Sequence, residues 1–208
     1  MDIQRNYIIK NGTGKEDIKY VALGDSLTYG FGASNYQGTF PYIIANKLLK
    51  KYKQVEVVNL AISGAVINGV LETQLPKALE EKPDFVTLMI GTNDVHNFAE
   101  KQTFKTSLIY ILDQLKNHTN TQILLINIPY LGTKDLILPP HNTIMDLRIR
   151  EFNRVIEEVA MEKQIKYFDL YSASNPYFEK NPKQYYSPDK FHPSDQGYIL
   201  WGNLINVY

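Results

Sequence analysis

Short apolar runs rich in β-branched residues alternate five times with longer segments of helical period, and this alternation limits the fold of the 208-residue chain more than any other feature. Strands are predicted over 18–23, 55–59, 85–90, 123–128 and 165–170, and helices over 40–53, 68–81, 103–117, 143–163 and 194–206. In 103–117, Phe104, Leu108, Ile111, Leu112 and Leu115 recur on one face; in 143–163, Ile144, Leu147, Phe152, Val155, Ile156 and Val159 do the same. Thr39 is placed to cap the first of these helices, with Pro41 in its first turn. Short connections between strands and helices imply right-handed crossovers and a parallel sheet covered on both faces. The run Ile123-Leu124-Leu125-Ile126 suits a strand buried on both sides. The expected architecture is a three-layer α/β/α sandwich around a five-stranded parallel sheet, formed by one domain over 18–208, with 1–17 as an exposed arm. Ligands of such sheets bind beyond the carboxyl ends of the strands, so every loop that follows a strand is a candidate site.

Composition removes several kinds of chemistry. The chain has no cysteine, which excludes a thiol nucleophile, a cysteine zinc site and an iron–sulfur cluster. Its four histidines share no ligand spacing, so no metal and no cofactor is expected. Lys plus Arg balance Asp plus Glu at 22 each, which leaves no electrostatic footprint for nucleic acid or an anionic membrane. No stretch approaches the roughly 20 apolar residues of a membrane span, and the first residues lack a signal-peptide core. The chain as written is therefore expected in the cytoplasm, without stable membrane insertion, or secreted or membrane-tethered if a leader has been removed. Nothing in it fixes an oligomeric state.

Four strand-end loops hold unusual residues: Gly24-Asp25-Ser26-Leu27, Asn59-Leu60-Ala61-Ile62-Ser63-Gly64, Gly91-Thr92-Asn93-Asp94 and Asp189-Lys190-Phe191-His192. Together they supply a hydroxyl, a glycine whose backbone a ligand can approach, a side-chain amide and a carboxylate–imidazole pair. That is the inventory for acyl transfer by a serine hydrolase. A serine hydroxyl is a poor nucleophile until an imidazole takes its proton, and the imidazole needs an acceptor to fix its tautomer. Asp189 stands three residues before His192, within reach across a turn. Backbone N–H groups at Ser26 and Gly64 and the Asn93 amide are candidate donors to a tetrahedral oxyanion.

The four blocks, in this order, resemble those of the GDSL or SGNH hydrolases, and the resemblance extends from Ile18 to Trp201. It implies a flavodoxin-like sandwich, Ser26 as nucleophile, Gly64 and Asn93 as oxyanion donors with Ser26, His192 as base and Asp189 as its partner. None of these five positions departs from the family pattern. The implied partner is a small-molecule ester: a short-chain ester, a carbohydrate acetate, a lysophospholipid or a thioester. The alternative reading is a catalytically silent protein of the same fold that holds an acyl or glycan group.

Rival readings of single residues are weaker. Ser63 lacks the flanking glycines of a nucleophile elbow. The stretch Gly30-Phe31-Gly32-Ala33-Ser34-Asn35 begins like a dinucleotide fingerprint but ends in Asn35 and lies well past its strand. His118 and His141 lie in polar surroundings without an adjacent acid and read as solvated, and Asp94 reads as a brace for its loop. Asp25, His96 and Phe191 are candidate substrate contacts. Two segments could wall a pocket: one holds Leu131, Leu136, Ile137, Leu138 and Pro139-Pro140, the other Tyr177, Phe178, Tyr185 and Tyr186. Apolar walls suit an acyl chain; aromatic walls suit a sugar ring equally well.

Overall fold

The structure is a computed structural model that describes residues 3–130, 136 and 138–208. A sheet of six strands forms its middle layer: β1 (Asn6–Ile9), β2 (Asp17–Gly24), β3 (Gln54–Asn59), β4 (Phe85–Met89), β5 (Gln122–Ile126) and β6 (Lys166–Phe168), in the order β1-β3-β2-β4-β5-β6. The five expected strands are all present and pair in parallel. The sixth corrects the expectation of an arm. Residues Asn6–Ile9 join the edge of β3 in antiparallel register, with Tyr7 opposite Val57. Their signal is four residues long between polar neighbours, too short for a period to be read. Docking follows from Tyr7, which is buried against the ring of Tyr36 at 4.6 Å.

The helices are α1 (Ser26–Tyr29), α2 (Phe40–Leu48), α3 (Ile67–Gly69), α4 (Leu75–Glu81), α5 (Thr92–His96), α6 (Lys101–His118), α7 (His141–Lys163), α8 (Leu170–Lys180), α9 (Pro182–Tyr185) and α10 (Asp195–Leu204). A π-helical turn, Val70–Gln74, joins α3 to α4. Alternation along β2 divides the core in two: Val21 and Leu23 pack with Phe104, Leu108, Phe152 and Ile156 of α6 and α7, while Tyr20 and Ala22 pack with Phe40, Ile44 and Trp201 of α2 and α10. Each buried Val, Leu, Ile or Phe among them contributes about 1.5–3 kcal/mol of hydrophobic stabilisation.

Three local expectations are corrected. Thr39 precedes α2, but its hydroxyl donates to the Tyr36 carbonyl at 2.7 Å instead of capping the helix. The fifth parallel strand stops at Phe168, because Asp169 caps α8 by accepting from Ser172 N–H at 3.0 Å. The segment after it forms α8 and α9, although Pro176 lies inside α8 and disguises it as a loop. Phe178 of α8 stacks on Trp201 at 5.6 Å and meets Tyr186 at 5.0 Å. Phe178 is buried in the core and covers the sheet, whereas Tyr186, buried as well, lines a cavity together with Gln184, Ser187 and Pro188. Of the other expected wall, Leu131 and Ile137 lie outside the described residues, and Leu136 and Leu138 are exposed.

Candidate active site

The strand order places β2 between β3 and β4, so the loops after these three strands meet at the carboxyl edge of the sheet, where the chain reverses its direction of winding. Ser26 opens the single turn of α1 directly after β2. Asp25 caps that turn by accepting from Leu27 N–H at 3.0 Å, and Gly30 closes it in a left-handed conformation. As the first helical residue, Ser26 has a backbone N–H without an intrahelical acceptor. Gly24 has to be glycine for reasons of space: a Cβ there would collide with Met89 O and Thr28 Oγ1. Its N–H and carbonyl are both held by the Gln74 side chain, at 2.9 and 2.8 Å. Gln74 is part of this scaffold, and no signal in the sequence singles it out of a helical segment.

The loop after β3 is tied to the end of β2 by the bond from Ile62 N–H to Gly24 O at 3.2 Å, and turns through Ala65 N–H to Ile62 O at 3.0 Å. Gly64 stands in that turn at φ 80°, in the left-handed region, and a Cβ on it would meet nothing within 4 Å. The backbone is exposed on the side where a ligand oxygen can approach. The loop after β4 reaches the same place through Asn93, whose Nδ2 donates to Ala65 O at 2.9 Å. Asp94 braces it as expected: Ile67 N–H lies 3.2 and 3.0 Å from its two carboxylate oxygens.

The fourth loop brings Asp189 and His192 to Ser26. His192 Nδ1 is 2.7 Å from Asp189 Oδ2, and His192 Nε2 is 3.0 Å from Ser26 Oγ. An ionised carboxylate only accepts, so Nδ1–H donates to Asp189 and Nε2 is left as acceptor for the Ser26 hydroxyl. Asp189 Oδ1 also accepts from Ser187 Oγ at 2.7 Å and from the N–H groups of Phe191 and His192, each at 2.9 Å. Partial burial pushes the Asp189 carboxyl up, but these hydrogen bonds and that from the imidazole outweigh it and hold it down to about 2. Ser187 is a further member of this network that the sequence alone does not single out.

Rings surround the imidazole. Phe31 lies 4.5 Å from the His192 ring and is 48% exposed; Phe191 lies 5.0 Å from the same ring on a side chain that is half-buried. His96 packs on Phe191 at 5.4 Å, and burial holds its imidazole below the usual histidine range. His96 and Phe191 therefore border the candidate site. Asp25 does not: only 1% of it is exposed, and burial pushes its carboxyl up to about 7, against the Leu27 hydrogen bond and with a further upward push from Asp94. It supports Ser26 from beneath and offers no surface to a substrate. Ser63 is exposed and makes no hydrogen bond to a histidine among the described residues.

A serine hydroxyl thus stands within reach of an imidazole backed by a carboxylate, at the end of a parallel sheet. The profile of the GDSL-like lipase/acylhydrolase family matches residues 22–200. The chain belongs to this family. It is a carboxylic ester hydrolase. Within the family it is 27% identical over 203 residues to the spore germination lipase LipC of Bacillus licheniformis, covering 87% of this chain and 91% of the relative. It is 25% identical over 206 residues to an acetylxylan esterase of Geobacillus stearothermophilus, covering 92% of each chain. The crystal structure of a lipase/acylhydrolase from Enterococcus faecalis superposes with a TM-score of 0.74 at 25% identity, over 90% of this chain and 92% of that one. The family sandwich and its mostly parallel sheet are those described above. No helix among the described residues is long and apolar enough to cross a membrane.

Proposed function

We propose that this family member is a serine esterase that cleaves small acyl esters through an acyl-Ser26 intermediate, with His192 as general base and acid and Asp189 as its partner. The observation that carries this reading is the unbroken relay from Asp189 Oδ2 through both ring nitrogens of His192 to Ser26 Oγ, at 2.7 and 3.0 Å. As Ser26 Oγ attacks the ester carbon, its proton passes to Nε2 and the carbonyl electron pair moves onto oxygen. Three donors are available to that oxyanion: the backbone N–H groups of Ser26 and Gly64 and the Asn93 amide, which has a second N–H beyond the one given to Ala65. Collapse breaks the bond to the alcohol, which leaves with the proton from Nε2. Water then repeats the sequence on the acyl-serine, releasing the acid and restoring the hydroxyl.

Both a lipase and an acetylxylan esterase occur among the relatives, so they support ester cleavage without choosing the alcohol. The reading is tested with a fluorophosphonate probe, using Ser26→Ala as the blank. Covalent labelling of Ser26 that tracks ester hydrolysis is expected. An unlabelled Ser26 in folded protein overturns the reading and favours a silent binding protein of this fold.

A further inference from the structure

We propose that His96 and Phe191 form a subsite for the alcohol portion of the ester, and that this subsite selects a polyhydroxy alcohol, a sugar, over a simple aliphatic one. The inference rests on the reading of Ser26 and His192 given above. Three observations lead to it.

The first is the order of the rings. Phe191 lies between two imidazoles, 5.0 Å from that of His192 and 5.4 Å from that of His96. His192 Nε2 must return its proton to the leaving oxygen, so whatever that oxygen carries lies beside His192, where Phe31 and Phe191 are the flanking rings. His96 stands one ring further on.

The second is the position of His96 in α5. It follows Asn93 by three residues, which puts the two side chains on the same face of the helix. Asn93 is directed to the loop of Gly64 through Ala65 O. His96 is thus carried toward the site by the same short helix that carries the proposed oxyanion donor.

The third is the chemistry of the side chain. Neither ring nitrogen of His96 has a hydrogen-bond partner among the described residues, although the residue is half-buried and its burial favours the neutral ring. A neutral imidazole has one N–H donor and one acceptor nitrogen, the pair that a hydroxyl group satisfies. An aliphatic chain laid over it would remove water from both nitrogens and replace neither bond. The adjoining Phe191 ring offers an apolar face to the C–H side of a sugar. A hydroxyl next to the esterified position is the group placed to meet His96, and an alcohol without one forfeits that bond.

The test compares two esters of the same acid: a partly acetylated xylooligosaccharide and ethyl acetate. The quantity read is the ratio of their kcat/KM values in wild type, His96→Leu and His96→Gln. The ratio in favour of the sugar ester is expected to fall about tenfold in His96→Leu, through a rise in KM for the sugar ester, and to recover in His96→Gln, which again donates and accepts. A ratio unchanged in His96→Leu, or one that stays low in His96→Gln, overturns the proposal. Because Leu could disturb packing on Phe191, the Gln variant separates lost hydrogen bonding from lost shape. Fluorophosphonate labelling of Ser26 in the same preparations keeps the two readings apart: labelled Ser26 with an unmoved ratio removes the subsite only, whereas unlabelled Ser26 in wild type removes the esterase reading itself.

Discussion

The carboxylate of Asp94 spans two loops: its oxygens lie 3.2 and 3.0 Å from the N–H of Ile67, and the residue is all but fully buried. This bond joins the loop of Asn93 to the loop of Gly64, and with them the two proposed oxyanion donors that do not belong to Ser26. Burial raises the Asp94 carboxyl to about 6, opposed by the Ile67 hydrogen bond. Asp94→Ala leaves a buried N–H unpaired, at a cost of about 1–3 kcal/mol. The expected outcome is a lower Tm together with a lower kcat and little change in KM, read by thermal unfolding and steady-state ester hydrolysis.

The relay predicts graded losses. Ser26→Ala and His192→Ala should each remove nearly all activity, and Asn93→Ala should lower kcat about 10² to 10³. Asp189→Asn keeps the shape but cannot hold the Nδ1–H tautomer, and a loss of about 10⁴ is expected. Wild-type turnover in the Asn93 variant would remove that residue from the oxyanion site. Rates measured in parallel with fluorophosphonate labelling make the comparison.

Asp25 and Asp189 should affect stability with opposite dependence on pH. The Asp25 carboxyl is raised to about 7 in the folded chain, whereas in the unfolded chain it ionises near 4. The native state therefore binds the extra proton between these values, and stability from this group falls as pH rises through about 4 to 7. Asp25→Asn keeps the acceptor for Leu27 N–H and removes the charge, so its Tm should gain on wild type across that window. Asp189, lowered to about 2, stabilises the fold above pH 4 and loses that contribution as pH falls toward 2. Thermal unfolding of wild type and both Asn variants from about pH 2 to 8 reads both slopes.

Trp201 is fully buried between Phe178 and Tyr198, with ring separations of 5.6 Å to each. Trp201→Ala should cost about 3–5 kcal/mol. Its indole N–H has no partner among the described residues, so Trp201→Phe forfeits no hydrogen bond and should cost much less. Denaturant unfolding of the two variants provides the measurement.

Much of this was legible in the residues themselves. Side-chain period distinguishes a strand such as Ile123-Leu124-Leu125-Ile126 from a helix such as Lys101–His118 without any tertiary information, because burial of one face or of both is written into the spacing of apolar residues. The chemistry of Ser26, Gly64, Asn93, Asp189 and His192 is local too, since the first three sit in short blocks just past strand ends and the last two in a single block of four residues after α9. Where the local signal was weak or contrary, the tertiary structure decided. The four residues of β1 become a strand only because the edge of β3 is open to them, and α8 forms despite Pro176 because Leu170 and Phe178 find the core. Asp25, read as a substrate contact, is buried beneath the serine, since depth below a surface is a property of the packed molecule and not of a tetrapeptide. The chain order determined which groups were available for ester chemistry. Only folding brought Nε2 of His192 to 3.0 Å from an oxygen 166 residues away, and set His96 beside Phe191, because those distances are fixed by how the loops after β2, β4 and α9 meet at one edge of the sheet.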